Sequence, residues 1–259
     1  MKSVLNIYLE AQGDYDMVQI IFLGTGGWIS EPFLGYTSIL LKSDTAILID
    51  AGEGVYRALR CCGYSIENID AIILTHKHGD HILGLPTLVL MAVHKGINQI
   101  KIITHRDVKE AIHKLFNVIG VEYLIKSIEF IEIAPGDKIR YNNFDIEIFE
   151  AFHTVPAISM RFEVEGKCIT FSGDTRYNPL LAELAKDCDV LIHEVSNYDV
   201  DAYTYGHSNY LEAMDIAKKA GVKTFIPIHF YQSPLPIDTM YLPYKSKIYM
   251  PMPCMKLEV

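Results

Sequence analysis

Three histidines and one aspartate lie within six positions of the stretch from Ile69 to Leu85, directly after an apolar run. In the segment THKHGDH they are His76, His78, Asp80 and His81. In an extended chain, residues two apart point the same way, so the first two imidazoles can reach one point. The glycine between the pairs lets the chain turn, so that the second pair faces another point nearby. Imidazole nitrogens and carboxylate oxygens are zinc ligands, so the motif indicates a metal site rather than a solvated loop.

Three more candidate ligands follow apolar strands in the same manner. His153 follows FDIEIFEAF, Asp174 lies two residues past CITFS, and His229 follows TFIPI. Strand ends in α/β sheets line up along one edge, where ligands usually bind, so we expect these side chains to join the first cluster. A lone histidine after a strand is ordinarily a hydrogen-bonded structural residue. Several such residues at corresponding strand ends favour a metal site.

The rest of the chain predicts the elements that hold these residues. Strands are expected at residues 18–23, 38–42, 46–49, 69–75, 100–104, 127–133, 144–152, 159–163, 167–172, 190–193, 224–228 and 255–259. Helices are expected at 54–62, 86–93, 107–117, 179–186 and 210–220, the last with Asn209 and Glu212 as a capping box and Gly221 as its stop. A tail with five prolines predicts a loop before the last strand. Because strands and helices occur twice in similar order, we expect two sheets sandwiched between helices in one domain.

Composition and charge narrow the class of protein. Of 259 residues, 50% are hydrophobic and 21% charged, which is ordinary for a globular chain. The longest apolar run, LPTLVLMAV, is too short to span a bilayer, and the N-terminus lacks a signal-peptide core, so a cytoplasmic protein without membrane contact is predicted. Five cysteines without a CxxC pair argue against a disulfide framework or a cysteine zinc site, and they fit a reducing compartment.

The net charge of −9 gives no general attraction to nucleic acid. An RNA partner would need a local basic patch. Two groups of residues offer one, although such runs are more often solvated helix faces: Lys101, Arg106, Lys109 and Lys114, and Lys218, Lys219 and Lys223.

The candidate ligands resemble the signature of the metallo-β-lactamase superfamily, in which His-x-His-x-Asp-His is followed by His, Asp and His. The likeness runs from about residue 18 to residue 259. It implies a single four-layer αββα sandwich over residues 17–259, after an N-terminal extension of residues 1–16, with two metals at one edge. By this resemblance one metal is held by His76, His78 and His153, and the other by Asp80, His81 and His229, with Asp174 bridging. Five imidazoles and two carboxylates suit two Zn²⁺ ions, with Mn²⁺ or iron as substitutes.

Within the superfamily, the segments FLGTGGW, LIDAGEGVYRAL, HGDHILGLP and SGDTRYNPLLAELAKDCDVLIHE are similar to RNase Z and its small phosphodiesterase relatives. The segment YGHSNYLEA resembles that group's additional histidine motif. The resemblance implies His207 as general acid, Glu194 as its orienting carboxylate, and a metal-bridging hydroxide that attacks phosphorus. Asp80 is a candidate acceptor of the water's proton. Without the flanking motif, His207 would be read equally well as a capping residue.

The sequence also departs from tRNA-processing RNase Z proteins, which generally carry a long arm between the third histidine motif and the bridging aspartate. Here twenty residues separate His153 from Asp174, enough for a strand pair. FYQSPLP stands after His229 where Ser and Arg-Tyr are expected, and the terminal MPCMKLEV lacks the usual Asp-Gly.

A phosphodiesterase related to RNase Z is therefore the predicted function. The alternatives are a tRNA 3′-processing endoribonuclease and a cyclic or small-molecule phosphodiesterase. A thioesterase or lactonase would use the same metals, whereas diiron oxidoreductases of this fold generally have glutamate where His78 stands. The expected partners are a phosphodiester substrate, with RNA among the candidates, and a second copy of the chain in a homodimer.

Overall fold

The computed structural model describes residues 17–29, 31–196, 200–231 and 246–259. The predicted extension of residues 1–16 and the prolines at 234, 236 and 243 lie outside the described residues. The strands are β1 (Gln19–Gly24), β2 (Ser38–Lys42), β3 (Ala46–Ile49), β4 (Ala71–Leu74), β5 (Ile100–Thr104), β6 (Ile128–Glu132), β7 (Lys138–Tyr141), β8 (Phe144–Ala151), β9 (Ala157–Val164), β10 (Lys167–Phe171), β11 (Val190–Glu194), β12 (Thr224–Ile228), β13 (Lys247–Ile248) and β14 (Lys256–Glu258). The helices are α1 (Val55–Cys61), α2 (Gly79–Ile82), α3 (Leu85–His94), α4 (Arg106–Val118), α5 (Leu180–Leu184) and α6 (Tyr210–Ala220), with 3₁₀ turns at Ile66–Asn68, Glu122–Ser127 and Val200–Tyr205.

The strands form two seven-stranded sheets, in the orders β14-β1-β2-β3-β4-β5-β6 and β13-β12-β11-β10-β9-β8-β7. Strands β3 to β6 run parallel, as do β10 to β13, whereas the other neighbours are antiparallel. The central strands β3 (AILI) and β4 (AIIL) are buried along their whole length, as parallel strands covered on both faces must be. The carboxyl ends of the parallel strands share one edge of each sheet.

Alternation along the strands divides the apolar side chains between layers. In β4, Ile73 packs into the core between the two sheets, whereas its neighbour Ile72 faces the helices. Helices α1, α3 and α4 cover the first sheet, and α5 and α6 cover the second. The predicted four-layer αββα sandwich in one domain is confirmed.

The described part of the chain has six α-helices, and the longest, α4, has 13 residues. None of the helices in the described ranges combines the length and the apolar character that a bilayer crossing needs. Helix α6 begins at the predicted capping box of Asn209 and Glu212 and ends at Gly221, whose φ of 70° lies in the left-handed region that glycine favours.

Two strands were not predicted. β7 (Lys138–Tyr141) is a half-polar edge strand, paired with β8 across a turn at Asn142, and its sequence KIRY carries little hydrophobic signal. β13 (Lys247–Ile248) lies in the tail that was expected to be loop-like, and it pairs with β12. Both strands complete the outer edges of the second sheet.

The expectation of no disulfides is wrong. Cys62 is bonded to Cys254, and Cys168 is bonded to Cys188, which leaves Cys61 as an exposed free thiol. The first pair is 192 residues apart in sequence and joins the end of α1 to the segment before β14. The cysteine pattern therefore no longer supports the predicted reducing compartment, and the cytoplasmic location stays a prediction.

Candidate metal centre

The seven predicted ligands meet at one edge of the sandwich, just past the carboxyl ends of strands from both sheets. His76 follows β4, His153 follows β8, Asp174 follows β10 and His229 follows β12. The turn expected at Gly79 is the start of α2, which has a fifth ligand, His78, as its N-cap and carries the other two, Asp80 and His81, into the buried interior. The strand-end rule therefore identified residues that the fold brings together.

One group of ligands consists of three imidazoles, those of His76, His78 and His153. The Nδ1 atom of His78 lies 3.1 Å from His76 Nε2 and 3.0 Å from His153 Nε2. Tetrahedral zinc with Zn–N bonds of about 2.0–2.1 Å would place two such nitrogens about 3.3 Å apart. The spacing therefore suits a single cation between the three rings.

The second group has two carboxylates and two imidazoles, all buried: Asp80, His81, Asp174 and His229. His229 Nε2 lies 3.2 Å from Asp80 Oδ2, and the other oxygen of that carboxylate is buried without a hydrogen-bond partner among the described residues. A buried, unsatisfied carboxylate oxygen is costly unless a cation binds it. This donor set therefore fits a metal ion on chemical grounds.

Asp174 lies between the two groups. Its Oδ2 atom is 3.5 Å from His76 Nε2 on one side, and 3.2 Å from both His81 Nε2 and His229 Nε2 on the other. Of the seven candidates, this carboxylate is the one placed to be shared between two cations.

Hydrogen bonds outside the cluster decide which imidazole nitrogen is free to bind. His81 Nδ1–H donates to Asp50 Oδ2 at 2.8 Å, and His153 Nδ1–H donates to the carbonyl oxygen of Gly206 at 2.7 Å. In both rings Nε2 is the nitrogen left facing the cluster, as metal-binding histidines require.

Sequence reasoning missed Asp50, which orients His81. It directly follows β3 and also accepts hydrogen bonds from the backbone and the hydroxyl of Thr75. Its φ of 59° is unusual for a residue with a side chain, and His229 shares this value. The same strand-end signal that identified His153 would have identified Asp50.

The predicted general acid and its carboxylate are also in contact. His207 Nδ1 lies 3.0 Å from Glu194 Oε1 and 4.0 Å from Asp174 Oδ2. Burial lowers the pKa of His207, but the Glu194 carboxylate outweighs that effect, so the pKa is raised above its usual value. The imidazole is therefore in a position and a protonation state that suit proton donation.

Ser196 connects this pair to the metal ligands and was also missed. His229 Nδ1–H donates to Ser196 Oγ at 2.9 Å, and this hydroxyl donates to Glu194 Oε2 at 2.8 Å. One carboxylate therefore orients His207 directly and His229 through a hydroxyl. No motif marked this serine, because the contact is made only when β11 and β12 lie side by side.

The glycines of FLGTGGW lie beside the site. A side-chain carbon built at Gly27 would be 2.6 Å from His229 Cε1, so only glycine lets the chain pass this ring. The Gly27 N–H donates to the carbonyl oxygen of Phe230. The motif therefore packs against a ligand.

The side chains of the cluster differ in their affinity for protons. Burial lowers the pKa of His76 well below its usual value, so this ring binds a cation without losing a proton. Burial acts in the same direction on His81 and His229, but the neighbouring carboxylates, Asp174 first and then Asp80, together outweigh it. As a result the pKa of His81 lies well above its usual value, and that of His229 is raised to about 10.

Zinc binding to the chelator-treated protein near neutral pH is expected to release about two protons, from His81 and His229, because a metal ligand must be unprotonated. Since the pKa of His229 is raised to about 10 and that of His81 is raised as well, zinc affinity is expected to rise from about pH 6 to about pH 8. Calorimetric titrations in two buffers with different ionisation enthalpies give the number of protons. His94→Ala, which removes an exposed histidine, should release the same number. Binding without proton release would contradict the expectation.

The basic residues proposed as an RNA-binding patch are largely paired with acids. Lys109 Nζ lies 2.5 Å from Glu132 on β6, and Arg106 pairs with Glu110 within α4. Lys219 and Lys223 likewise contact Asp215 and Asp189. These runs form mixed-charge surfaces, which agrees with the alternative that they are solvated helix faces.

Comparison with known proteins places the chain in a family. The beta-lactamase superfamily domain matches residues 45–230, well over half of the chain, so the protein belongs to that family. The Ribonuclease Z of Methanopyrus kandleri is 28% identical over 244 residues, which cover 80% of this chain and 85% of the relative. The solved structure of the metallo-beta-lactamase fold protein YhfI from Bacillus subtilis has a TM-score of 0.82 and 22% identity, covering 94% of this chain and all of that one. The solved structure of the short form of human tRNase Z has a TM-score of 0.77 and 23% identity, covering 92% of this chain and 98% of that one.

These similarities confirm the predicted membership of the metallo-β-lactamase superfamily and the likeness to its RNase Z branch. With the family, the prediction of a metal-dependent hydrolase is confirmed. The roles of individual site residues rest on the geometry described above.

Proposed function

We propose that the protein is a dinuclear, zinc-dependent phosphodiesterase of the RNase Z-like type. The observation that carries the proposal is the position of Asp174 Oδ2, within 3.5 Å of ligand nitrogens from both groups. His207, in contact with Glu194, lies beside this carboxylate and adds a proton donor to the two metal sites.

Each metal ion has a defined set of residues in this proposal. His76, His78 and His153 would hold the first ion; Asp80, His81 and His229 would hold the second; and Asp174 would be shared. A metal pair of this kind lowers the pKa of water and stabilises negative charge on a phosphoryl group. Imidazole and carboxylate donors also accept Mn²⁺ and iron, so zinc is the expected metal and these are its substitutes.

The residues of the chain handle the protons. A water oxygen bonds to phosphorus, and the bond to the leaving oxygen breaks with its electron pair on that oxygen, which takes the proton of His207. The proton lost by the water enters solvent, and solvent returns one proton to His207, which restores the imidazolium. Burial raises the pKa of Asp80, but His81 and His229 outweigh it and hold that pKa far below its usual range, which favours Asp80 as a ligand over a proton acceptor.

A substrate panel tests the proposal. Protein purified without chelator is expected to hydrolyse bis-p-nitrophenyl phosphate, to lose that activity with chelator and to regain it with zinc. Phenyl thioacetate and a simple lactone, assayed at the same metal content, should be turned over far more slowly. Hydrolysis of the thioester or the lactone by a metal-loaded protein that leaves the diester intact would overturn the phosphodiesterase assignment.

A tRNA 3′-processing endoribonuclease is the second candidate, favoured by similarity to relatives named Ribonuclease Z. Against it, the segment between His153 and Asp174 contains β9, β10 and a turn at Gly166, without an inserted arm. Cleavage of a tRNA precursor at a rate well above that of bis-p-nitrophenyl phosphate would favour this candidate. The RNA substrate, the cytoplasmic location and the homodimer stay predictions.

A further inference from the structure

The metal centre opens into a cleft of about 680 Å³ whose outer wall is aromatic. Trp28 and Tyr205 line it and are 56% and 70% exposed, and Tyr231 lies on the same rim. Single exposed aromatic residues are ordinary, but several grouped around one cleft are typical of a ligand-binding surface. The catalytic residues described above do not account for them.

The backbone around these rings is fixed. The Trp28 ring centroid is 5.8 Å from that of His78, so the indole lies directly beside the first group of ligands. Gly27 and Phe230, which precede Trp28 and Tyr231, are joined by a backbone hydrogen bond of 3.0 Å. The two rings are therefore held on neighbouring segments at the mouth of the cleft.

Tyr205 is anchored on another side of the cleft. It ends the 3₁₀ turn Val200–Tyr205 and precedes Gly206, whose carbonyl oxygen accepts the 2.7 Å hydrogen bond from His153. A side-chain carbon at Gly206 would lie 2.8 Å from Thr154, so this turn packs tightly on the metal-binding loop. Tyr205 is thus held two residues from His207, with its ring exposed to the cleft.

The cleft holds no lysine or arginine among the described residues that line it. The nearby Arg176 is engaged elsewhere, since its guanidinium stacks on Tyr203 and donates to the carbonyl oxygen of that residue. Proteins that bind a nucleic acid strand neutralise successive phosphates with such cations. Two metal ions would neutralise the reacting phosphate, and the described residues of the walls add no cation for neighbouring phosphates.

We propose that the cleft selects phosphodiesters of low charge whose non-leaving group is a planar aromatic ring, stacked on Trp28 and Tyr205. This inference rests on the proposed phosphodiesterase function. The ring could belong to a nucleoside or to another aryl group, because both present a flat π-face that stacks on aromatic side chains.

Three diesters with the same leaving group and the same single charge test the proposal: methyl, phenyl and thymidine-5′ p-nitrophenyl phosphate. We expect kcat/KM for both aromatic esters to exceed that for the methyl ester by about tenfold, the effect of one stacking partner. A larger value for the thymidine ester would identify a nucleoside as the source of the ring, and a larger value for the phenyl ester would identify a simple aryl group.

Trp28→Ala and Tyr205→Ala should each lower the ratio of kcat/KM for the aromatic esters to kcat/KM for the methyl ester. Trp28→Phe and Tyr205→Phe should preserve most of this ratio. Tyr123→Ala is the matched control, since this tyrosine is similarly exposed at 56% and lies outside the residues lining the cleft. Metal content is measured for every variant, and the ratio of two substrates on one sample is independent of the fraction of active protein.

The outcomes separate this inference from the proposed function. No hydrolysis of any of the three esters by metal-loaded protein would refute the phosphodiesterase itself. Hydrolysis at equal rates, with a ratio that the alanine variants leave unchanged, would refute only the aromatic preference. If Trp28→Ala changed the oligomeric state but left the aromatic-to-methyl ratio of kcat/KM unchanged, the rim would be a subunit contact. That result would also refute the aromatic preference. A kcat/KM that rises with oligonucleotide length and falls steeply with salt would show that the cleft binds a polyanion.

Discussion

Asp174→Asn is expected to leave the protein folded but unable to hold its metal pair, with diester hydrolysis reduced more than about 100-fold. The substitution keeps the shape of the side chain and removes the charge that faces His76, His81 and His229. Changing an outer hydrogen-bond partner of a metal ligand typically lowers metal affinity or activity by up to about 100-fold. Changing a ligand shared by both ions must therefore lower them further. Metal analysis after gel filtration is expected to find about one ion per chain or fewer, against about two in the unchanged protein.

Asp189→Asn is the matched control. Its carboxylate accepts a hydrogen bond from the backbone of Cys168 and pairs with Lys223, on the far end of the second sheet from the metal centre. This variant should keep both metal content and activity. If Asp174→Asn retained two tightly bound ions per chain, the bridging role would be wrong, whatever its activity.

The ligands themselves were predictable because each obeys a local rule. His153, Asp174 and His229 follow apolar strands, and the fold places the ends of those strands at a common edge. The rule needs only the periodicity of each segment and does not require knowledge of which strands are neighbours. The four-layer architecture was predictable for a similar reason, because the order of strands and helices repeats along the chain.

The outer contacts could not be predicted in this way, because they depend on neighbours in space. Ser196 bonds to His229 because β11 and β12 pair in one register, and a shift of one residue would turn the hydroxyl away. The disulfide between Cys62 and Cys254 depends in the same way on the end of α1 lying against the C-terminal segment. Short edge strands such as β7 gain their stability from pairing with β8 and carry little signal of their own.

The exposed aromatic residues illustrate a further limit. Trp28, Tyr205 and Tyr231 are far apart in sequence, and each alone is as well explained by a place in the core or on the surface. Only the fold shows that they surround one cleft with the metal centre at its base. Trp28 and Tyr205 lie in the segments FLGTGGW and YGHSNYLEA, but the resemblance gives neither residue a role. The proposed substrate preference therefore depends on residues without a role in the motifs, whereas the reaction depends on residues that have one.

His207→Ala is expected to retain both metal ions but to slow hydrolysis according to the leaving group. For alkyl esters, whose leaving oxygen needs a proton, kcat should fall by about 10²–10⁴-fold, the usual contribution of a general acid. For p-nitrophenyl esters, whose leaving group departs as the anion, the loss should be far smaller. His94→Ala removes an exposed histidine at the end of α3 and is expected to affect neither substrate. Equal slowing of both esters would count against proton donation by His207.

The pH profile separates the donor from the carboxylate that orients it. A general acid must carry its proton, so activity on alkyl esters is lost as pH rises through the pKa of His207. Glu194 raises that pKa despite the opposing effect of burial, so Glu194→Gln should move the alkaline limb of the profile to lower pH. The amide can still accept the Thr175 N–H hydrogen bond that the carboxylate accepts at 2.6 Å, so the local fold is expected to persist. An alkaline limb that stays in place in Glu194→Gln would mean that another group donates the proton.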